Sequence, residues 1–213
     1  MLVKYLLRSI IIISLAQSSA ALADSYEDLL AAVKQDDRTA VEASLSRGMD
    51  VNTTDRGGNT LIMIAVRENH PDLAKRLLQL HAALDARNQY GETVLMLAAA
   101  AGDLDLVKAL VERGANINLK GWNPLIYAAW RGQTGVVKFL LDKGADIDAV
   151  GPSGVSALMM AAREGHFDTV KLLLWDVADP NIRSDSGATA LQWAQKAGNT
   201  DIAGVLRQAG AKE

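Results

Sequence analysis

From residue 25 onward, apolar and polar positions follow one alternating scheme. A short segment rich in apolar and small residues, with paired alanines such as Ala98-Ala99, Ala128-Ala129 and Ala161-Ala162, is followed by a glycine break at Gly102, Gly132, Gly165 or Gly198. A second segment then carries aliphatic residues at helical spacing, as in Val137, Leu140 and Leu141 or Val170, Leu173 and Leu174. Its end coincides with Gly114, Gly144 or Gly210, where a left-handed residue closes a helix. The pattern predicts pairs of short antiparallel helices, the first pressing its alanines against neighbours.

The scheme repeats. Thr60-Leu61-Ile62-Met63-Ile64-Ala65 aligns with segments beginning at Thr93, Asn123, Ser156 and Thr189, at spacings of 33, 30, 33 and 33 residues. A glycine two residues before each (Gly58, Gly91, Gly121, Gly154, Gly187) marks a turn, and the Thr, Ser or Asn stands where helix amides need an N-cap. Stepping back 33 residues from Thr60 gives a sixth unit, with Leu29, Ala32, Leu45, Gly48 and Val51-Asn52 in register. Expected units run over about 25–57, 58–90, 91–120, 121–153, 154–186 and 187–213. Polar residues on the first (Glu27, Asp28, Asp36) and last (Gln195, Lys196, Arg207) fit end caps of one domain spanning 24–213.

Gly154-Val155-Ser156-Ala157-Leu158-Met159-Met160-Ala161-Ala162-Arg163-Glu164-Gly165-His166 and Leu140-Leu141-Asp142-Lys143-Gly144-Ala145-Asp146-Ile147-Asp148 resemble the two halves of the ankyrin repeat signature. The resemblance implies an all-α solenoid of about six helix-turn-helix units joined by short β-hairpin-like loops. Several positions depart from the family pattern. Its first-helix histidine is replaced by Met63, Met96, Ile126, Met159 and Gln192, and its proline survives as Pro124. His81 and Val177 stand where glycine is usual, and a β-branched residue is ill suited to positive φ. An irregular end to the fifth unit's second helix, around Trp175 to Pro180, is therefore expected. The connection from Asn118 to Asn123 is three residues short, so that hairpin should be stunted.

Residues 1–23 stand outside the repeat. Lys4 and Arg8 precede an apolar run from Ser9 to Ala16, then polar Gln17-Ser18-Ser19 and Ala21-Leu22-Ala23. This is the three-part pattern of a cleaved signal peptide, with cleavage expected between Ala23 and Asp24 and Ala16 as the alternative. The apolar run falls well short of the roughly 20 residues that cross a bilayer, so stable membrane insertion after cleavage is not expected. Removing Lys4 and Arg8 leaves 20 basic against 25 acidic residues, a balance of −5. There is no basic face suited to nucleic acid. The 213 residues contain no cysteine, which removes disulfides, thiolate chemistry and lipid attachment at an amino-terminal cysteine. A monomer in the periplasm, or secreted, is the expectation.

Candidate chemistry is sparse. His70 and His166 sit at the inter-helix turn, where a structural role is expected, and His81 stands alone; no pair has ligand spacing. No nucleophile elbow or phosphate-binding loop occurs. Asp103, Asp105, Asp146 and Asp148 recur at turn positions. Neither catalysis, a metal nor a cofactor is expected. The family resemblance implies protein binding through hairpin tips and the concave face of the first helices. By position this marks Arg56, Arg67, Arg87, Tyr90, Trp122, Trp130, Arg131 and Arg163, with Glu92 and Glu164 among their neighbours. Tyr90, Trp122, Trp130 and Arg131 are of the residue types that dominate interface energetics; alternatively, a tryptophan fills the gap left by the short hairpin. Tyr127 and Trp193 are expected in the core, and Trp175 is ambiguous. The expected partner is a periplasmic protein, inhibited or protected by the array. Alternatives are an accessory role to a periplasmic redox or hydrolytic enzyme, or a secreted effector acting on a host protein.

Overall fold

The computed structural model describes residues 25–212. The expected signal peptide and its cleavage site at Ala23-Asp24 lie outside the described residues. Six helix pairs follow one another: α1 (25–34) with α2 (Arg38–Ser46), α3 (Leu61–Arg67) with α4 (Pro71–Gln79), and α5 (Val94–Ala101) with α6 (Leu104–Glu112). Then come α7 (Pro124–Trp130) with α8 (Thr134–Asp142), α9 (Ala157–Glu164) with α10 (Phe167–Trp175), and α11 (Ala190–Ala197) with α12 (Thr200–Gln208). Odd-numbered helices from α3 to α11 stack in an inner row, and even-numbered helices from α4 to α12 in an outer row.

Local sequence sets each boundary. Side chains of Thr93, Asn123, Ser156 and Thr189 accept hydrogen bonds from the amides of Met96, Ile126, Met159 and Gln192, satisfying donors that the first helical turn leaves orphaned. Thr60 departs from this expectation. Its hydroxyl is buried without a partner, while the Leu61 amide donates to Thr53 O across the adjoining hairpin. Met63, Met96, Ile126 and Met159, which replace the family histidine, are fully buried. Gln192, in the terminal unit, instead uses Oε1 to accept the Thr189 amide in a capping box.

Two sets of polar ties run between units. Side-chain oxygens of Asn52, Asp85, Asn118, Asp148 and Asn181 each accept an amide of the next unit (Ala83, Asn116, Asp146, Asp179 and Lys212) at 2.7–3.1 Å. At the inter-helix turns, His70 Nε2 donates to Lys34 O, Gln133 Nε2 to Ala100 O, His166 Nε2 to Trp130 O, and Asn199 Nδ2 to Ala162 O. Both turn histidines are thus structural. The turn glycine makes room for the tie: a Cβ on Gly132 would lie 2.5 Å from His166 Nδ1.

The short connection before α7 is stunted as expected. Thr54 pairs with Thr60 and Val150 with Ser156 as antiparallel bridges, but among the described residues none joins 117 to 123. The expected irregularity after α10 does not occur. The helix has the same nine residues as α4, α6, α8 and α12, and Val177 adopts φ 70° in the left-handed region; His81 does likewise at φ 63°. The reason is that the equivalent glycines, Gly114, Gly144 and Gly210, have nothing within 4 Å of a built Cβ, so a side chain there meets only backbone strain. The helix end is held by Ala178 N donating to Leu173 O, and that closure outweighs the local preference.

Two stability changes follow from these positions. Val177 is 81% exposed, so Val177→Gly relieves strain of about 1–2 kcal/mol while losing little packing, and should stabilise the chain by about 1 kcal/mol after glycine's unfolded-state entropy. Urea denaturation checks it; an unchanged or lower midpoint would show that Val177 is not strained. Gly132→Ala adds backbone strain and evicts the His166 tie, for a loss of about 2–3 kcal/mol. Gly210→Ala, which meets open space, should lose about 1–2 kcal/mol by strain alone. Equal losses in the two variants would exclude the tie as a contributor.

Candidate functional site

One position of the inner helices recurs as Ile64, Leu97, Tyr127, Met160 and Trp193, and one turn later as Arg67, Ala100, Trp130, Arg163 and Lys196. These two rows line the open face of the stack. Ile64, Leu97 and Met160 are buried there, but Tyr127 and Trp193 are only half-buried. The core placement expected for both is corrected: their rings are too large to sink between neighbouring helices and stand at the surface.

Around Tyr127 lies an open cavity of about 440 Å³ formed by Tyr90, Glu92, Trp122, Ile126, Tyr127, Trp130, Met160 and Arg163. Four successive units contribute to it, from the hairpin tip at Tyr90 to Met160 and Arg163. Trp122 and Trp130 each meet Tyr127 edge-to-face, with centroids 6.0 and 6.2 Å apart and planes at 86° and 87°. Trp122 has a second contact, since a Cβ on Gly151 would lie 3.2 Å from its ring. Trp122 thus fills space beneath the next hairpin, and its ring also lines the cavity. Tyr90 is 65% exposed at its hairpin tip, and Trp130 is 38% exposed with the Arg131 guanidinium 5.4 Å from its ring centroid.

The polar wall is built around Glu92. Tyr127 Oη donates to Glu92 Oε1 at 3.1 Å, while Asn88 Nδ2 at 2.8 Å and the Arg67 guanidinium both donate to Oε2. Asn88 Nδ2 also donates to Asn59 Oδ1, and Asn59 Nδ2 donates to the Asp55 carboxylate. The hydrogen bonds thus run from the second hairpin into the cavity. Burial, and then the adjacent Glu92 carboxylate, push the Tyr127 phenol above its ordinary pKa, keeping it a donor. Hydrogen bonds from Asn59 and from the Asn59 and Gly57 amides outweigh burial to hold Asp55 below the usual carboxylate range. These groups position one another; none is left exposed as a nucleophile or base. Among the described residues, no three His, Cys, Asp or Glu side chains are grouped to hold a metal ion.

Of the sequence-marked residues, Tyr90, Trp122, Trp130 and Arg163 meet in this cavity, and Arg67 and Arg131 adjoin it. Arg87 instead closes its own hairpin, donating to Gly91 O. Arg56 extends into solvent at the second hairpin, 3.7 Å from Glu27. Ile126, Tyr127 and Met160 had not been marked. Tyr127 and Met160 share one repeat position, a turn before the marked Trp130 and Arg163, and that is the signal that could have found them; Ile126 lies one position earlier, in the row that replaces the family histidine.

A family model described as "Ankyrin repeats" matches the chain in three overlapping copies, over residues 29–120, 62–151 and 125–212. The crystal structure of an ankyrin repeat domain from Acinetobacter baumannii AYE is similar, with 30% sequence identity and a TM-score of 0.74. The match covers 86% of this chain and 98% of that one. No match was found among curated proteins. With family matches across nearly all of the described repeats, the chain belongs to the ankyrin repeat family.

Proposed function

We propose that this chain is a periplasmic, non-catalytic binding protein whose aromatic cavity on the inner-helix face docks an envelope protein, inhibiting or protecting it. Ankyrin repeats generally mediate protein–protein interaction, which supports the general part of this reading. The observation that carries it is the grouping of Tyr90, Trp122, Tyr127 and Trp130 in one open cavity. Large rigid rings that are partly exposed, with Tyr127 bonded to Glu92 and Trp122 and Trp130 set edge-to-face against it, bury area with little loss of side-chain entropy. The amino-terminal pattern with Lys4, Arg8 and Ala21-Leu22-Ala23 supports export.

The test of docking is capture from a periplasmic extract on the immobilised protein. A Trp122→Ala, Trp130→Ala double variant should bind the captured partner at least about 30-fold more weakly, the scale of one interface hot spot. Its circular dichroism and melting curve must match a folded array. Full capture by that folded variant sinks the cavity as the docking site. Export has a separate readout. Mass spectrometry of the protein from fractionated cells should find a periplasmic chain beginning at Asp24, whereas a cytosolic chain beginning at Met1 would overturn the location.

A further inference from the structure

Next to the aromatic cavity lies a second hollow of different chemistry. It measures about 460 Å³ and is formed by Arg163, Ser186, Trp193, Lys196 and Ala197. Arg163 is the shared wall, its guanidinium 5.2 Å from the Trp193 ring centroid. The face therefore offers an apolar, aromatic hollow centred on the fourth unit and a cationic one on the fifth and sixth.

Charge separates the two possible kinds of occupant. Glu68, at the repeat position of Arg131 and Glu164, belongs to the second unit and lines neither hollow. Of the carboxylates beside the hollows, Glu92, whose side chain is 14% exposed, is engaged by Arg67, Asn88 and Tyr127, and Glu164 by Arg163 at 2.7 Å. Neither is free to receive a cation. Lys196 and Arg131 have no ion pair among the described residues. With Arg67 and Arg163 each paired to one of those carboxylates, Arg131 and Lys196 remain as the excess cations beside the hollows, on a chain of net charge −3.

Resting on the docking function proposed above, we infer that the partner presents an extended segment with a large apolar side chain and a carboxylate roughly five residues away. The apolar group enters between Trp122, Tyr127 and Trp130. The carboxylate meets Lys196 and the outer edge of Arg163. The spacing follows from the stack: neighbouring helices lie about 8–10 Å apart and extended chain advances about 3.3 Å per residue. Arg163 on α9 lies one such spacing from the rings on α7, and Lys196 on α11 lies two, so about five or six extended steps bridge the rings and Lys196.

The experiment is selection of a random twelve-residue peptide library on the purified full chain, with fluorescence anisotropy of the enriched peptides. Enrichment of an apolar or aromatic residue with Asp or Glu about five positions away is expected. Binding should fall about tenfold in the exposed variant Lys196→Glu, as for loss and reversal of one partly screened ion pair, and weaken with salt. Replacing the peptide carboxylate by lysine should restore binding to Lys196→Glu, a rescue that misfolding cannot imitate. Basic consensus peptides would overturn the inference in favour of Glu92 as the recognition group. Self-association of the unliganded chain that Trp130→Ala abolishes would assign the face to a second copy instead. Peptides indifferent to Trp130→Ala and Lys196→Glu would move binding to the hairpin tips, ending this inference while leaving protein binding intact. No selectable peptide, together with no periplasmic capture, would end both.

Discussion

Five alanines at one repeat position, Ala65, Ala98, Ala128, Ala161 and Ala194, are wholly inaccessible to solvent. They let adjacent inner helices approach closely enough for Leu95, Leu125, Leu158 and Leu191 to be buried. A single pair of helices has no other means of covering its apolar face, so every unit is folded only by virtue of its neighbours. The polar ties obey the same constraint. Asn52, Asp85, Asn118, Asp148 and Asn181 all reach across to the next unit. The cavity depends on this stacking too: Glu92, Tyr127 and Met160 come from three units, and only their fixed spacing makes them one wall.

That dependence explains which features could be read from the sequence. The helix pairs were legible because glycines, caps and alanines recur in phase, and each copy strengthens the others. Inter-unit chemistry was less so. The Glu92 hydrogen bonds require the rotamers of Asn88, Arg67 and Tyr127, which no spacing specifies. Tyr127 and Trp193 looked like core because Ile64, Leu97 and Met160 at the same position are core. Side-chain size, not register, separates them: an aliphatic chain sinks between two helices, whereas a six-membered or indole ring does not. Val177 was misread for a related reason. A local φ preference of a kcal/mol or two yields to a helix end that tertiary packing has already fixed.

The departures from the repeat also converge in space. The connection before α7 is short, and Trp122 in it fills the space beneath the Gly151 hairpin. The same ring turns an edge to Tyr127, which in turn meets Trp130. Had the loop kept its full length, a hairpin tip like those at Asn88 and Ser184 would stand at this point, each closed by a backbone pair to Glu92 and Ala188. Removing three residues exchanges that self-satisfied backbone for aromatic surface. Local rules give way most often where a surface has been shaped for another purpose than folding. Here the irregular loop, the unburied rings and the cations Arg163 and Lys196 adjoin one another, while the departures on the outer row, His81 and Val177, lie singly at helix ends. Neighbouring departures on a single face are what the docking function proposed above requires, since a partner must meet them together.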